Sequence, residues 1–364
     1  MKIKFNDLNR IHSVVEKNIN KGLSKIVKES SFILGETLAE FEEKYSKFTN
    51  SKHTIGCANG TEAIELTLRA LGIGKNDEVL LPANTFIATA IAVTRTGATP
   101  IFYDCDRFFL SNIDSIIKKI SKKTKAIIAV HLYGQMANVE EISKIAKKNN
   151  ISFIEDSAQA HGSTRNDNPP GKYSNAATYS FYPGKNLGAW GDGGAITTNN
   201  TQLRNKLLYL RNWGSIKKYE HKIVGFNSRL DPIQAVVLNE KLKYLDDWNE
   251  MRNKISHIYL NNINEGQKIE LPKVDKLNYH VWHLFVLKVK NRNKFINHLS
   301  LNGIETVIHY PKIIPNQKAY SDNNQKASDY ENAKNNESKL VSIPLFPLMN
   351  KSEIQKTLSV INSY

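Results

Sequence analysis

One lysine in this sequence has surroundings that suit chemistry on a carbonyl group. Lys185 lies within residues 180–194, between a short stretch of hydroxyl and aromatic side chains and a glycine-rich stretch. A lysine that attacks a carbonyl must be partly unprotonated, and glycines let a flat ligand approach the backbone. Asp156 ends an apolar segment upstream. The combination predicts pyridoxal phosphate, with Lys185 holding the aldehyde and Asp156 pairing with the ring nitrogen.

A second set of residues has the pattern of a phosphate site. Asn59, Gly60 and Thr61 follow a strand-like segment and open a predicted helix. Free N–H groups and the helix dipole favour an anion there, Gly60 lets a phosphate approach, and Ser180 could add a hydroxyl. Taken alone, residues 59–61 are more typical of an ordinary N-cap turn.

Three further features have two interpretations each. Phe86 stacks on an aromatic cofactor or packs in the core, and Asp156 has a functional role or caps a turn. The segment 225–231 contains Asn227 and Arg229, which could bind phosphate, or it is an N-cap. The histidines are dispersed without ligand spacing, so no metal site is expected.

Composition narrows the class of protein. A chain of 364 residues is too long to fold around one small hydrophobic core, which indicates two domains. There is no apolar run of ~20 residues and no secretory pattern at the N-terminus, so neither a membrane span nor export is expected. Cys57 and Cys105 form no CxxC pair, which argues against a disulfide framework and favours the cytoplasm.

The net charge of +15 raises the question of nucleic acid. A nucleic-acid surface concentrates Lys and Arg on one element, with aromatic side chains for stacking. The basic residues here are scattered. We therefore expect a solvated basic surface, which also favours an anionic small substrate, and no nucleic-acid partner.

The elements that must position these residues alternate between strand and helix. Buried strands are predicted at 78–82, 99–104, 125–132 and 151–156, and helices at 61–71, 85–94 and 139–148. This order indicates a mostly parallel sheet covered on both faces. Ligands bind beyond the carboxyl ends of such strands, where Asp156 and the loop after Cys57 lie.

The second half of the chain has a different pattern. Helical periodicity extends over 232–262 and links two halves. A smaller α+β part is then predicted, with strands at 279–289 and 305–308 and a helix at 294–301. The polar stretch 321–338 is expected to form an exposed loop or an irregular helix.

Taken together and in order, these motifs resemble the DegT/StrS family of sugar-nucleotide aminotransferases. The resemblance implies the α/β fold-type-I architecture of pyridoxal phosphate-dependent transferases, similar to aspartate aminotransferase. It implies a large domain with a mostly parallel sheet (residues 1–240) and a smaller C-terminal α+β domain (241–364). The segments that carry the resemblance run nearly end to end: 32–35, 41–42, 59–63, 130–135, those around Asp156 and Lys185, 227–231 and 309–311.

The resemblance also implies roles for single residues around the cofactor. Lys185 would hold the aldehyde and carry protons, Asp156 would pair with the ring nitrogen and Gln159 would lie near the ring oxygen. Phe86 would stack on the ring. The family is an obligate homodimer with shared active sites. The phosphate would therefore meet residues of both subunits: Gly60, Thr61 and Ser180, with Asn227 from the other subunit.

The family's chemistry implies the substrates. An amino group passes from glutamate to a keto-sugar nucleotide, with pyridoxamine phosphate formed on the way. The nucleotide sugar would meet Tyr182, Lys217, Tyr219, Arg229, His309 and Tyr310.

Within the family, segments 32–35, 185–189, 211–215 with 218–219, and 242–249 with Arg252 are most similar to the branch acting on dTDP-3-keto-6-deoxyhexoses. That branch makes dTDP-3-amino-3,6-dideoxyhexoses for O-antigen, surface polysaccharide or other glycans. A 4-keto or UDP-linked sugar is the alternative. Pro315 stands where family members often have His, which leaves the sugar open.

Two rival functions differ at the same lysine. A related activity that removes a sugar hydroxyl has His in place of Lys185. A non-catalytic basic regulatory protein on the same fold would not need Lys185 or Asp156. Both residues are present, which favours the aminotransferase.

Overall fold

The structure is a computed structural model that describes residues 1–321 and 329–364. Its helices are α1 (Leu8–Glu29), α2 (Glu36–Phe48), α3 (Gly60–Ala70), α4 (Ile87–Arg95), α5 (Ile113–Lys119), α6 (Val139–Lys148), α7 (Thr201–Arg211), α8 (Pro232–Leu242), α9 (Leu245–Asn262), α10 (Arg292–Leu301), α11 (Glu331–Glu337) and α12 (Lys351–Asn362). Its strands are β1 (His53–Cys57), β2 (Glu78–Pro82), β3 (Thr99–Tyr103), β4 (Thr124–Val130), β5 (Ser152–Asp156), β6 (Thr164–Arg165), β7 (Ala176–Ser180), β8 (Gly194–Thr198), β9 (Ile269–Glu270), β10 (Asn278–Tyr279), β11 (Phe285–Val289) and β12 (Leu340–Ile343).

The central sheet has the order β1-β8-β7-β5-β4-β2-β3. The pairs β2–β3, β2–β4, β4–β5 and β5–β7 are parallel, and β8 runs antiparallel to both its neighbours. The strands β4 and β5 are almost wholly buried, as continuous apolar runs covered by helices on both faces require. The predicted α/β fold with a mostly parallel sheet is confirmed.

A second core lies in the C-terminal part of the chain. The sheet β12-β11-β9 packs with α9, α10 and α12 around Tyr259, Phe285 and Phe295. The N-terminal Ile3 is fully buried in this second core and bridges Ile304. The first residues of the chain therefore pack with the C-terminal part, whereas the boundary at residues 240 and 241 stays a prediction.

The element predictions hold closely for the sheet and its helices. The strand at 78–82 and the helix at 139–148 are confirmed to the residue. The helical stretch 232–262 is two helices interrupted at Lys243 and Tyr244. The predicted strand 279–289 is divided, because β10 pairs with β6 and β11 joins the C-terminal sheet.

The prediction of a strand at 305–308 is wrong. Glu305 donates its amide to Ile3, whereas Val307 forms a bridge with Ser342, so the segment divides its hydrogen bonds between two neighbours. In the polar stretch 321–338, residues 322–328 lie outside the described residues and 331–337 form α11. Within the described ranges, no helix combines the length and the apolar character needed to cross a membrane.

Candidate active site

A cavity of about 830 Å³ lies at the carboxyl ends of the parallel strands. It is reached by the residues that follow β1, β2, β5 and β7, as expected for an α/β sheet. Most of the predicted site residues line it: Gly60, Thr61, Phe86, Asp156, Gln159, Ser180, Tyr182, Lys185, His309 and Tyr310.

Lys185 lies in the turn that follows β7. Its amide donates to the carbonyl of Tyr182 at 2.9 Å. A Cβ on Gly188 would collide with the carbonyl of Pro183, so this tight turn requires glycine. Burial lowers the pKa of Lys185 to about 8, although the charge of Asp156 acts in the opposite direction. About a tenth of the amine is therefore unprotonated at pH 7, and this fraction can attack a carbonyl.

Asp156 ends β5 and is buried at the floor of the cavity. Its carboxylate accepts hydrogen bonds from Thr89 Oγ1 at 2.9 Å and from the amide of Ala158 at 3.2 Å. Burial raises the pKa of Asp156, although these bonds and the charge of Lys185 counteract part of that effect. A cationic N–H on a bound ring would stabilise this carboxylate, which matches the predicted pairing.

Gln159 joins the cavity floor to an aromatic wall. Its Oε1 accepts from the amide of Tyr133 at 2.7 Å, and its Nε2 donates to Tyr310 Oη at 3.0 Å. The rings of Tyr310 and Phe86 are 5.3 Å apart, centroid to centroid. Phe86 is 51% exposed. It is therefore not a core residue, and its ring is available to a flat ligand.

The phosphate end is built from α3 and the end of β7. Asn59 caps α3, since its Oδ1 accepts from the amide of Glu62 at 2.9 Å. The amides of Gly60 and Thr61 lie at the open end of this helix, where anions bind. A Cβ on Gly60 would lie 2.7 Å from Ser180 Cβ, so glycine is what lets the helix approach the Ser180 hydroxyl.

A buried histidine fixes the position of Ser180. His161 Nε2 lies 2.9 Å from the carbonyl oxygen of Ser180, and its Nδ1 lies 2.8 Å from Tyr45 Oη. A carbonyl only accepts, so Nε2 carries the proton and Tyr45 donates to Nδ1. Burial lowers the pKa of His161 to about 3, which keeps the ring neutral.

His283 is a cavity residue that the sequence analysis missed. It precedes the apolar run of β11, and no local pattern separates it from an ordinary residue at a strand start. Only the fold brings it beside Lys185. Burial first, and then the charge of Lys185, lower the pKa of His283 well below its usual range.

Four predicted residues do not line this cavity: Asn227, Lys217, Tyr219 and Arg229. Tyr219 is 82% exposed, and Lys217 pairs with Glu220 on the same surface segment. Arg229 donates to Asn212 Oδ1 at 3.2 Å. Within one chain, these side chains are therefore not brought to the predicted cofactor site.

Pyridoxal phosphate fits the residues that line the cavity. The open helix end with its required glycine suits the phosphate, and half-exposed Phe86 suits the flat ring. The buried Asp156 carboxylate suits the ring nitrogen, and the Lys185 amine suits the aldehyde.

Comparison with known proteins is consistent with this geometry. Residues 14–362 match the DegT/DnrJ/EryC1/StrS aminotransferase family. A dTDP-3-amino-3,6-dideoxy-alpha-D-galactopyranose transaminase from Aneurinibacillus thermoaerophilus is 44% identical over 100% of this chain and 99% of its own length. A protein named pleiotropic regulatory protein, from Geobacillus stearothermophilus, is 38% identical over 100% of this chain and 99% of its own length.

A UDP-linked relative and a solved structure add to this comparison. A UDP-N-acetyl-3-dehydro-alpha-D-glucosamine 3-aminotransferase from Acidithiobacillus ferrooxidans is 38% identical over 98% of this chain and 96% of its own length. The crystal structure of S. venezuelae DesV in complex with a ketimine intermediate superposes with a TM-score of 0.97, at 33% identity. It covers 100% of this chain and 98% of that one.

Proposed function

The chain belongs to the DegT/DnrJ/EryC1/StrS aminotransferase family of pyridoxal phosphate enzymes, and we propose that it aminates a dTDP-3-keto-6-deoxyhexose with glutamate as donor. The product would be a dTDP-3-amino-3,6-dideoxyhexose for surface polysaccharide or another glycan, made in the cytoplasm. The observation that carries this proposal is the placement of Lys185 and Asp156 in one cavity, beside the open end of α3.

The chemistry needs a group that accepts electrons and residues that handle the proton. Bound pyridoxal phosphate supplies the electron sink for a carbon next to nitrogen. Lys185 moves the proton at that carbon, since its pKa of about 8 lets it act both as base and as acid. Asp156 would keep the ring nitrogen protonated. Gly60, Thr61 and Ser180 would hold the phosphate, and Phe86 and Gln159 would position the ring.

The sugar side of the site is proposed to draw on two subunits. Tyr182, His309 and Tyr310 line the cavity of their own chain. Asn227, Lys217, Tyr219 and Arg229 would reach the cavity of a second copy, the phosphate through Asn227 and the nucleotide sugar through the others. Their exposed segment also carries the apolar side chains of Ile216 and Val224, which a partner would cover.

Different relatives support different substrates and functions for this chain. The 3-keto dTDP sugar is supported by the relative of 44% identity, whereas the A. ferrooxidans relative supports a UDP-linked sugar. A regulatory function is the second candidate, because a relative of 38% identity carries that name. Intact Lys185 and Asp156 in one cavity favour the enzyme.

The test supplies glutamate and compares three kinds of sugar nucleotide. The purified enzyme is incubated with dTDP-3-keto-6-deoxyhexose, its 4-keto isomer and a UDP-linked 3-keto sugar, and the amino sugars are identified by mass spectrometry. Preferential amination of the 3-keto dTDP sugar is expected. Preference for either of the other two sugars would move the assignment to that substrate, and absence of amination of all three would reject it.

A further inference from the structure

A buried chain of amides reaches the cavity beside Lys185. Asn249 Nδ2 donates to the carbonyl of His161 at 2.9 Å, which leaves its Oδ1 facing Asn186. Asn186 Nδ2 donates to that Oδ1 at 2.8 Å and to the carbonyl of Val281 at 2.9 Å. Because backbone carbonyls only accept, both amides have one allowed orientation.

This chain of amides determines where His283 carries its proton. The remaining atom of Asn186, Oδ1, lies 3.1 Å from His283 Nδ1. An amide oxygen only accepts, so Nδ1 carries the proton. In a neutral ring Nε2 then has a free lone pair.

The ring of His283 stays neutral for a physical reason. Burial is the main cause of its lowered pKa, followed by the charges of Lys185 and Arg252 and by the rings of His309 and His161. Arg252 is itself buried against the backbone carbonyls of Trp282 and Leu345. The positive charges of Lys185 and Arg252 therefore disfavour a further charge on the ring.

The lone pair of Nε2 selects its ligand. It accepts from N–H or O–H and repels a carboxylate, so it does not bind the acidic groups of a donor such as glutamate. His283 is hydrogen-bonded to Asn186, the residue that follows Lys185, and the side chains of His283 and Lys185 both line the cavity. A primary amine is present at this end of the cavity in both halves of an amino transfer, on the donor in the first half and on the bound cofactor in the second.

We propose that His283 is a catalytic residue whose Nε2 accepts a hydrogen bond from the amino group held at the Lys185 end of the cavity. Asn186 and Asn249 are positioning residues that fix its tautomer. The proposal rests on the proposed function for the identity of that amine.

The first test measures binding without turnover. Apoenzyme is titrated with pyridoxamine phosphate and with 4-deoxypyridoxine phosphate, which lacks the amine, and tryptophan fluorescence is followed. His283→Phe should lower the affinity for pyridoxamine phosphate by roughly tenfold or more and leave the affinity for 4-deoxypyridoxine phosphate unchanged. His283→Gln retains an acceptor oxygen and should recover most of the preference for the amine.

The second test separates the two halves of the reaction. Single turnovers of the holoenzyme with glutamate and with the keto sugar should both slow in His283→Phe. A buried histidine outside the cavity, His280, supplies the matched control, since His280→Phe should lower the melting temperature and leave the preference for the amine intact. Equal affinity losses for both cofactor analogues, or none, would overturn the proposal.

Selective slowing of the sugar half alone would also overturn it and would assign Nε2 to a sugar hydroxyl. If wild-type enzyme distinguishes the two analogues but aminates no keto sugar, the proposed function fails while His283 is tested independently.

Discussion

Gly60→Ala is the substitution whose effect the structure determines most closely. The added Cβ would lie 2.7 Å from Ser180 Cβ, whereas carbon atoms in contact are about 3.5–4.0 Å apart. One side must therefore move by roughly 1 Å. Ser180 cannot yield easily, because it ends β7 and its carbonyl is held by His161 at 2.9 Å. We expect the start of α3 to move away from Ser180.

Two opposing effects set the change in stability. Ala favours a helix over Gly by up to about 1 kcal/mol, whereas overpacking costs about 1–3 kcal/mol. The protein should therefore lose at most about 3 kcal/mol of its free energy of unfolding. The phosphate, in contrast, loses a charge-assisted hydrogen bond, so the dissociation constant for pyridoxal phosphate should rise roughly tenfold to a hundredfold.

The assay compares pyridoxal phosphate with pyridoxal, which lacks the phosphate. Gly60→Ala should weaken the binding of pyridoxal phosphate and leave the binding of pyridoxal unchanged. Gly266→Ala is the matched control, because a Cβ at Gly266 meets no atom within 4 Å. Unchanged affinity for pyridoxal phosphate, or an equal loss for both ligands, would refute the assignment of this helix end to the phosphate.

Three further predictions concern protonation and packing. Because the amine form of Lys185 reacts, the loading rate of apoenzyme with pyridoxal phosphate should rise with pH and level off above about 8; a rise that continues to about 10.5 would contradict the lowered pKa. Tyr45→Phe removes the hydrogen bond to His161 and should cost about 1–2 kcal/mol in calorimetry, whereas an unchanged melting temperature would contradict a contribution of this buried bond to stability. Ile3→Ala should lower the free energy of unfolding by about 2–5 kcal/mol, as measured by urea unfolding. It should also make the C-terminal part more sensitive to limited trypsin digestion. The exposed Val14→Ala is the control. Sensitivity confined to residues of the central seven-stranded sheet and its helices would contradict the packing of Ile3.

The parts of the site that the sequence predicted are those with local signals. Asp156 ends an apolar run, Gly60 opens a helix after a strand, and Lys185 lies in a glycine-rich turn. Each signal depends on neighbours along the chain. Parallel-sheet topology then brings the three together at one edge, which is why the pattern predicted the cavity.

The parts that the sequence did not predict depend on contacts across the fold. His283 is fixed by Asn186 and Asn249, which are far apart in the chain. The segment 305–308 has the composition of a strand, but its hydrogen bonds are divided between Ile3 and Ser342. Such pairings are decided by tertiary packing and leave no periodicity in the sequence.

The central claim is that amino transfer depends on Lys185. The most direct measurement is turnover of keto sugar by Lys185→Ala, with exposed Lys172→Ala as the control and melting temperatures to verify folding. We predict no detectable amino sugar from Lys185→Ala and unchanged turnover from Lys172→Ala. Multiple turnovers by folded Lys185→Ala would contradict the account.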